Sequence, residues 1–168
     1  IAFLGGLIRY ILENELYQEE YVKYYTNASY LLREDFAWDE ETALFSGAEE
    51  DRPDKPVKYD KSSWDYRRDG DGNVIKDPTL QHPDCVFQVM KRFYAMYTLE
   101  TVSKITGCDP QLLEECYKLY GSTGEPGKAG NMMYAMGITQ FTHGAQNVRA
   151  IGIVQLLLGN MGIPGGGV

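Results

Sequence analysis

The sequence predicts a helix-rich α/β fold, and three observations carry that prediction. Apolar residues recur at three- and four-residue steps through Phe3–Leu12, Val86–Tyr97, Leu112–Tyr120 and Val148–Leu158, the spacing of a single buried helix face. A short apolar run, Asn131–Ala135, reads as a buried strand. The polar residues Thr139, Gln140, Thr142 and His143 separate that run from the last helix, so the order there is strand, loop, helix. Such a loop lies at the carboxyl end of a strand and meets the unpaired N–H groups and positive dipole end of the helix behind it. Open α/β folds hold nucleotides and phosphates at that place.

The first helix spans Ile1–Leu16, with Phe3, Leu4, Leu7, Ile8, Ile11 and Leu12 inward and Arg9, Glu13 and Asn14 towards water. Tyr17–Tyr25 continues helically, and its stripe of Tyr17, Tyr21, Tyr24 and Tyr25 reads as packing surface whose hydroxyls reach a polar edge. Tyr30–Leu32 is short and strand-like. Residues 33–83 change character. Glu34, Asp35, Asp39, Glu40, Glu41, Glu49, Glu50, Asp51 and Asp54 make the first part acidic, and Pro53, Pro56 and Pro78 interrupt the rest. An irregular stretch this long is uncommon inside a compact domain. Asp69-Gly70-Asp71-Gly72-Asn73 has a calcium-loop look but lacks the bidentate glutamate, so it reads as a turn joining Trp64–Arg68 to Val74–Lys76.

Asp84 reads as the N-cap of a helix over Cys85–Tyr97, whose inward stripe is Val86, Val89, Met90, Phe93 and Tyr97. Thr98 caps a shorter helix ending at Gly107, with Val102 and Ile105 inward. Asp109-Pro110 is a cap followed by proline at the first helical position, and Leu112, Leu113, Cys116, Leu119 and Tyr120 form the apolar face behind it. Ser122–Gly130 lacks the residue order of a phosphate-binding loop and reads as a flexible connection. Gly137 permits a sharp exit from the strand. The last helix starts near Gly144, turns Val148, Ile151, Val154, Leu157 and Leu158 inward, and ends in Gly159, Gly162 and Pro164.

Composition narrows the function classes. A length of 168 residues with 43% hydrophobic content supports a substantial core. A net charge of −8 repels nucleic acid and anionic membrane surfaces. No apolar run approaches the roughly 20 residues that span a bilayer. Ile1 falls inside a helical pattern and Val168 follows a glycine run, so the chain reads as a piece of a longer polypeptide. Cys85, Cys108 and Cys116 contain no CxxC pair and sit beside apolar residues, which reads as three small buried thiols. His82 and Cys85 have the spacing of half a zinc site with no second half. Glu40–Glu41 reads as solvated charge. His143 suits a neutral hydrogen-bonding role at a helix N-terminus or simply faces solvent, and Arg149 could balance a phosphate or pair with an acid.

Residue identities add a resemblance. Met136-Gly137-x-x-Gln140, then Gly144, Asn147, Arg149, a Leu-rich helix, Gly159-Asn160-x-Gly162 and Gly165-Gly166-Gly167 closely resemble a segment of molybdopterin-dependent oxidoreductases. Within them the chain is most similar to the large catalytic subunit of formate dehydrogenase, as are FLGGLIRYILEN near its start and YDKSSWDY and TLQHPDCVF in its middle. It departs at Phe141, where relatives often carry histidine. The resemblance implies that residues 1–168 are a single fragment of the α/β cofactor-binding domain, with an irregular excursion at about 33–83 and a cofactor-facing strand-loop-helix at about 131–162. Met136, Gly137 and Gln140 would lie against a molybdopterin guanine dinucleotide.

The implied enzyme oxidises formate to carbon dioxide, or runs the reverse, with molybdenum or tungsten between two such dinucleotides. It passes electrons to a [4Fe-4S] cluster. Its metal-ligating selenocysteine or cysteine, the neighbouring histidine and the cluster cysteines match nothing in this chain, so no catalytic or metal-binding residue is assigned. The implied partners are formate, the rest of the same subunit and an iron–sulfur electron-transfer subunit, without nucleic acid or direct membrane insertion. The twin-arginine export of many such relatives points to the periplasm, with the cytoplasm as the other compartment. A relative acting on nitrate, or a stand-alone α/β interaction or nucleotide-binding module, is the alternative.

Overall fold

The computed structural model describes residues 1–49 and 57–168. Glu50, Asp51, Pro53, Asp54 and Pro56, part of the acidic and proline-broken stretch, lie outside the described residues. Among the described residues, secondary structure is mixed but helix-dominated, with one two-stranded antiparallel sheet, which is compatible with an α/β class. The chain forms two compact units, Ile1–Thr26 with Tyr94–Val168, and Asn27–Phe93.

The first unit is helical and is built around α1 (Ala2–Glu13), which packs on α4 (Leu99–Thr106), α5 (Pro110–Gly121) and α7 (Gly144–Leu157). Leu7, Ile8, Ile11 and Leu12 are fully buried on it, as their spacing predicts. Glycine permits the closest approach: a Cβ at Gly6 would lie 2.5 Å from the Tyr117 hydroxyl, which donates to the Phe3 carbonyl at 2.8 Å. Burial pushes the Tyr117 phenol well above the ordinary tyrosine range, so the ring stays a neutral donor. The caps predicted within this unit form. Asp109 accepts from the N–H groups of Gln111 and Leu112, Thr98 accepts from Thr101, and Gly107 closes α4 in the left-handed conformation.

Several predicted faces are rotated. On α5 the buried side chains are Leu113 and Tyr117, while Leu112, Cys116 and Leu119 are exposed. The helix presents two apolar stripes and α1 takes only one of them. Ile105 is likewise exposed on α4. α2 (Glu19–Tyr25) is a separate helix, entered through Glu15 at φ 55° and capped by Gln18, so the tyrosine stripe is not continuous with α1. Val22 is its buried residue; Tyr24 and Tyr25 are exposed. Of the three cysteines only Cys85 is buried, which corrects the reading of Cys108 and Cys116.

The second unit has little regular structure. β1 (Trp38–Asp39) pairs with β2 (Leu44–Phe45) around a turn in which the Asp39 carboxylate accepts the N–H groups of Glu41 and Thr42. Tyr30, Leu31 and Leu32 form single antiparallel bridges to Lys76, Cys85 and Tyr66, and Arg68 bridges Val74 across the predicted turn. In that turn Asp69 accepts from the N–H groups of Asp71 and Asn73, so backbone takes the carboxylate. α3 starts at Val86 and runs to Tyr94. Asp84 does not cap it: its carboxylate pairs with Arg67, and Cys85 is drawn into the bridge with Leu31. Phe36, Trp38, Phe45, Trp64 and Phe93 supply an aromatic cluster with neighbouring ring centroids 4.7–6.0 Å apart.

Candidate functional site

The stretch leading to the candidate site is not a buried strand. Asn131 makes one parallel bridge, to Gly167, and Met132 donates to the Gly167 carbonyl at 3.1 Å; pairing stops there among the described residues. Met133 is 94% exposed, and Tyr134 and Ala135 are also exposed. The apolar run therefore serves no core within this unit. Extended backbone gives way to a single helical turn, α6 (Met136–Thr139), and Gln140 is its C-cap. Met136 and Gly137 thus lie on a helical turn where the sequence predicts a strand exit. Gly137 needs no special backbone conformation, and a Cβ added to it would meet nothing within 4 Å.

These residues share one exposed surface. The Gln140 amide reaches the Met136 sulfur at 3.5 Å, which brings two of the three predicted residues into contact. Met136 is 67% exposed and Phe141 65%. Such a surface offers apolar contact, one uncharged amide able to donate and accept, and open space at Gly137.

Two sets of interactions hold it in place. The first docks α6 on the first turn of α7. The Asn147 amide donates to the Ile138 carbonyl at 3.2 Å. Gly144 lies so close to Thr139 that a Cβ would come within 2.0 Å of its carbonyl oxygen. The second set is a buried polar network under residue 130. Gln155 and Asn160 are both fully buried. Asn160 accepts from the Gly130 N–H at 2.9 Å and donates to the Thr123 hydroxyl at 3.0 Å and to the side-chain Oε1 of Gln155 at 3.1 Å. Gln155 accepts from Tyr120 at 2.8 Å and donates to the carbonyls of Gly130 and Gly167. A network this fully satisfied fixes the chain entering α6.

Beside α6, Ile1, Ile138, Phe141, Thr142, His143 and Asn147 line a recess of about 470 Å³. Asn147 is only 9% exposed, and its Oδ1 is buried without a partner. The bond to Ile138 fixes the amide orientation, because only the NH₂ group can donate to a carbonyl. His143 is exposed, occupies the N-cap position of α7 and caps no N–H with its side chain. Arg149 is exposed and makes no ion pair among the described residues. Sequence reasoning quoted Asn147 and Asn160 only as part of the resemblance and missed Gln155, yet there was a signal for burial of Asn147 and Gln155. Asn147 stands one helical step before Ile151, and Gln155 one step after it, on the stripe that carries Leu158.

Among the described residues, no group of three or more His, Cys, Asp or Glu side chains could hold a metal ion, and no helix is long and apolar enough to cross a membrane. His82 does not join Cys85 at a metal site; its Nδ1 accepts from the Asp84 N–H, and the Cys85 thiol donates to the Ala28 carbonyl.

No family model matches the chain. Curated proteins do. The chain is 52% identical over all 168 residues to formate dehydrogenase subunit alpha of Megalodesulfovibrio gigas, and 46% identical over the same length to the formate dehydrogenase major subunit of Haemophilus influenzae. It spans 16% of each of these proteins. F420-dependent formate dehydrogenase 1 subunit alpha of Methanococcus maripaludis is 35% identical over 96 residues, 57% of this chain and 14% of that protein. From its first residue to its last, the chain thus corresponds to a segment of the alpha or major subunits of formate dehydrogenases.

Proposed function

We propose that this segment belongs to the α/β cofactor-binding domain of a molybdopterin-dependent formate dehydrogenase, and that it forms part of the wall holding a molybdopterin guanine dinucleotide. The complete subunit would oxidise formate to carbon dioxide or run the reverse, together with an iron–sulfur partner subunit. The metal, molybdenum or tungsten, and the [4Fe-4S] cluster would be ligated by residues beyond this chain. The cofactor-facing piece would run from about 131 to 162, with the stretch at about 33–83 as an excursion from the same fragment.

The observation that carries this reading is the exposed surface of Met136, Gly137 and Gln140 within a chain similar over its whole length to formate dehydrogenase alpha subunits. Two features of the unit suit the dinucleotide: Met136 offers apolar contact, and Gly137 leaves room for close approach. When bound, the cofactor supplies the redox chemistry at its metal. This chain's residues would bind and orient it: Met136 against a flat ring, Gln140 by donating and accepting at a ring edge without adding charge.

Gln140→Ala in the full-length subunit tests the proposal. Losing one neutral hydrogen bond costs about 0.5–1.5 kcal/mol, more when a buried ligand atom is left unpaired. Cofactor retention or activity should therefore fall roughly tenfold with the fold intact. Full metal and pterin content with normal turnover in the variant would refute the assignment.

A further inference from the structure

We infer that Asn131–Ala135 is one strand of an unfinished parallel sheet, and that in the complete subunit a β-strand from the rest of the same polypeptide pairs with its open edge. This strand presupposes the proposed α/β domain but not the cofactor wall at Met136–Gln140. Its first rung is already in place: Asn131 bridges Gly167 in parallel, and the Met132 N–H donates to the Gly167 carbonyl at 3.1 Å. The chain passes through α7 between these two segments, so together they make a strand-helix-strand crossover. A parallel pair standing alone leaves an edge and both faces open, whereas parallel sheets occur with further strands and with helices over both faces.

The residues after the bridge are suited to such a sheet. In an extended chain Met132 and Tyr134 share one face and Met133 and Ala135 the other, so both faces are apolar, the pattern of a strand covered on both sides. Ala135 is extended, at φ −147° and ψ −155°. Yet Met133, Tyr134 and Ala135 are exposed, and among the described residues the N–H groups of Met133 and Tyr134 donate to nothing. Successive N–H groups of a strand face opposite edges, so Met132 donates towards Gly167 and Met133 towards the open edge. A bare apolar edge is a template for pairing. Length and topology say with what. The chain spans 16% of the subunits it matches, so most of a subunit of that length is available to supply the next strand. Parallel neighbours are joined by crossovers within one chain, which a second copy or a separate subunit does not provide.

The test is methionine oxidation by dilute peroxide on the full-length subunit, purified without partner subunits and kept monomeric. It is run on the cofactor-loaded form and on the cofactor-free form from cells that cannot make the dinucleotide, with fragment masses separating Met133 from Met136. Met133 should oxidise at least about tenfold more slowly than in the denatured subunit, in both forms alike. Hydrogen exchange should find the Met133 N–H protected in both forms as well. If the cofactor-free form does not fold, the loaded subunit carries the test through two variants: Met133→Glu should lower the thermal midpoint by several degrees, and Met133→Leu should leave it nearly unchanged.

Oxidation of Met133 at the denatured rate overturns the inference, as does an unchanged midpoint in Met133→Glu. Protection that appears only with the cofactor bound would make the cofactor its cover. Protection that appears only on adding a partner subunit, or only at concentrations where the subunit self-associates, would give the edge to those proteins; each of these results overturns the inference too. A slowly oxidised sulfur beside a freely exchanging N–H would mean apolar contact without strand pairing, with the same consequence. Met136, read from the same digest, keeps the two failures apart, because the cofactor wall requires it to be shielded only in the loaded form. Met133 exposed with Met136 shielded on loading would sink the strand alone; Met133 shielded with Met136 free in both forms would sink the wall alone.

Discussion

The two units of the chain reach order by different physics. Ile1–Thr26 with Tyr94–Val168 relies on helices that bury aliphatic side chains and tyrosine rings against α1, with two fully buried amides, Gln155 and Asn160, placed beneath the candidate site. Asn27–Phe93 relies on an aromatic cluster, isolated backbone bridges and carboxylates that gather backbone N–H groups. A helix satisfies its own backbone and leaves its side chains free to build a core. A chain of turns must spend side chains on its backbone, which is why aspartates matter to the second unit as structure and not as catalysts. The contrast can be observed directly. Both tryptophans of the protein, Trp38 and Trp64, lie in the second unit, so their fluorescence follows it, whereas far-ultraviolet ellipticity is dominated by the helices of the first.

The largest expected effect is in the helical core. Leu157 is 3% exposed on α7. Leu157→Asp would bury an unpaired carboxylate at a cost of several kcal/mol, comparable with a whole domain's stability of about 5–15 kcal/mol. Insoluble or unfolded protein is expected, and a soluble variant with an unchanged thermal midpoint would mean that the stripe is not a core.

Gln155→Leu comes next, because it keeps apolar bulk while removing the centre of the polar network. The carbonyls of Gly130 and Gly167 and the hydroxyl of Tyr120 lose a partner together. A stranded buried group costs about 1–3 kcal/mol, so a loss of roughly 3 kcal/mol is expected, read as an earlier ellipticity transition. A midpoint at or above that of the parent would show the network to be dispensable.

In the second unit the counterpart is Phe45→Ala. Phe45 stands among Phe36, Trp38, Trp64 and Phe93 and is half-buried. Truncating a buried phenylalanine costs about 3–5 kcal/mol, and partial exposure reduces this to about 2 kcal/mol. The fluorescence transition should move more than the ellipticity transition. Equal shifts in both signals would erase the contrast between the units.

These contrasts explain what the sequence made legible. Local chemistry could be read: the caps at Thr98 and Asp109, the left-handed Gly107, the Asp69–Asn73 turn, and the inward stripe of Ile151, Val154, Leu157 and Leu158. Choices settled by neighbours could not. α5 has two apolar stripes, and only the tertiary partner decides that Leu113 and Tyr117 face inward while Leu112 and Leu119 do not. The same ambiguity made Asn131–Ala135 look like a strand, since an apolar run gives no sign of whether it packs in its own unit. At the candidate site, the motif identified Met136, Gly137 and Gln140, but the burial of the amides that hold their surroundings escaped notice. A polar residue on a helix reads by default as facing solvent, and its burial depends on partners tens of residues away, as with Asn160 and Gly130.

The smallest effect, and the one most particular to the turn-built unit, is a dependence on acid. Burial pushes the Asp77 carboxyl upward, but the Thr79 hydroxyl and the N–H groups of His82, Thr79 and Gln81 outweigh it, and hold it at about 2 against an ordinary 3.8. Bonds from His82 and Gln81 close the turn that carries Leu80, which is buried at φ 58°. A carboxyl depressed in the folded state binds its proton more readily when unfolded. Its contribution is therefore complete above pH 3.8 and is lost as pH falls through about 2. The depressed carboxyls of Asp39 and Asp69, which also accept backbone N–H groups, shift the unit in the same direction. Tryptophan fluorescence should thus report a second unit that weakens between about pH 4 and pH 2, losing only part of its stability. Asp77→Asn should lower the midpoint at neutral pH, since a neutral amide accepts these bonds less strongly, and should flatten the acid limb. An Asp77→Asn protein with the same acid limb as its parent would remove this turn from the account of how the second unit is held.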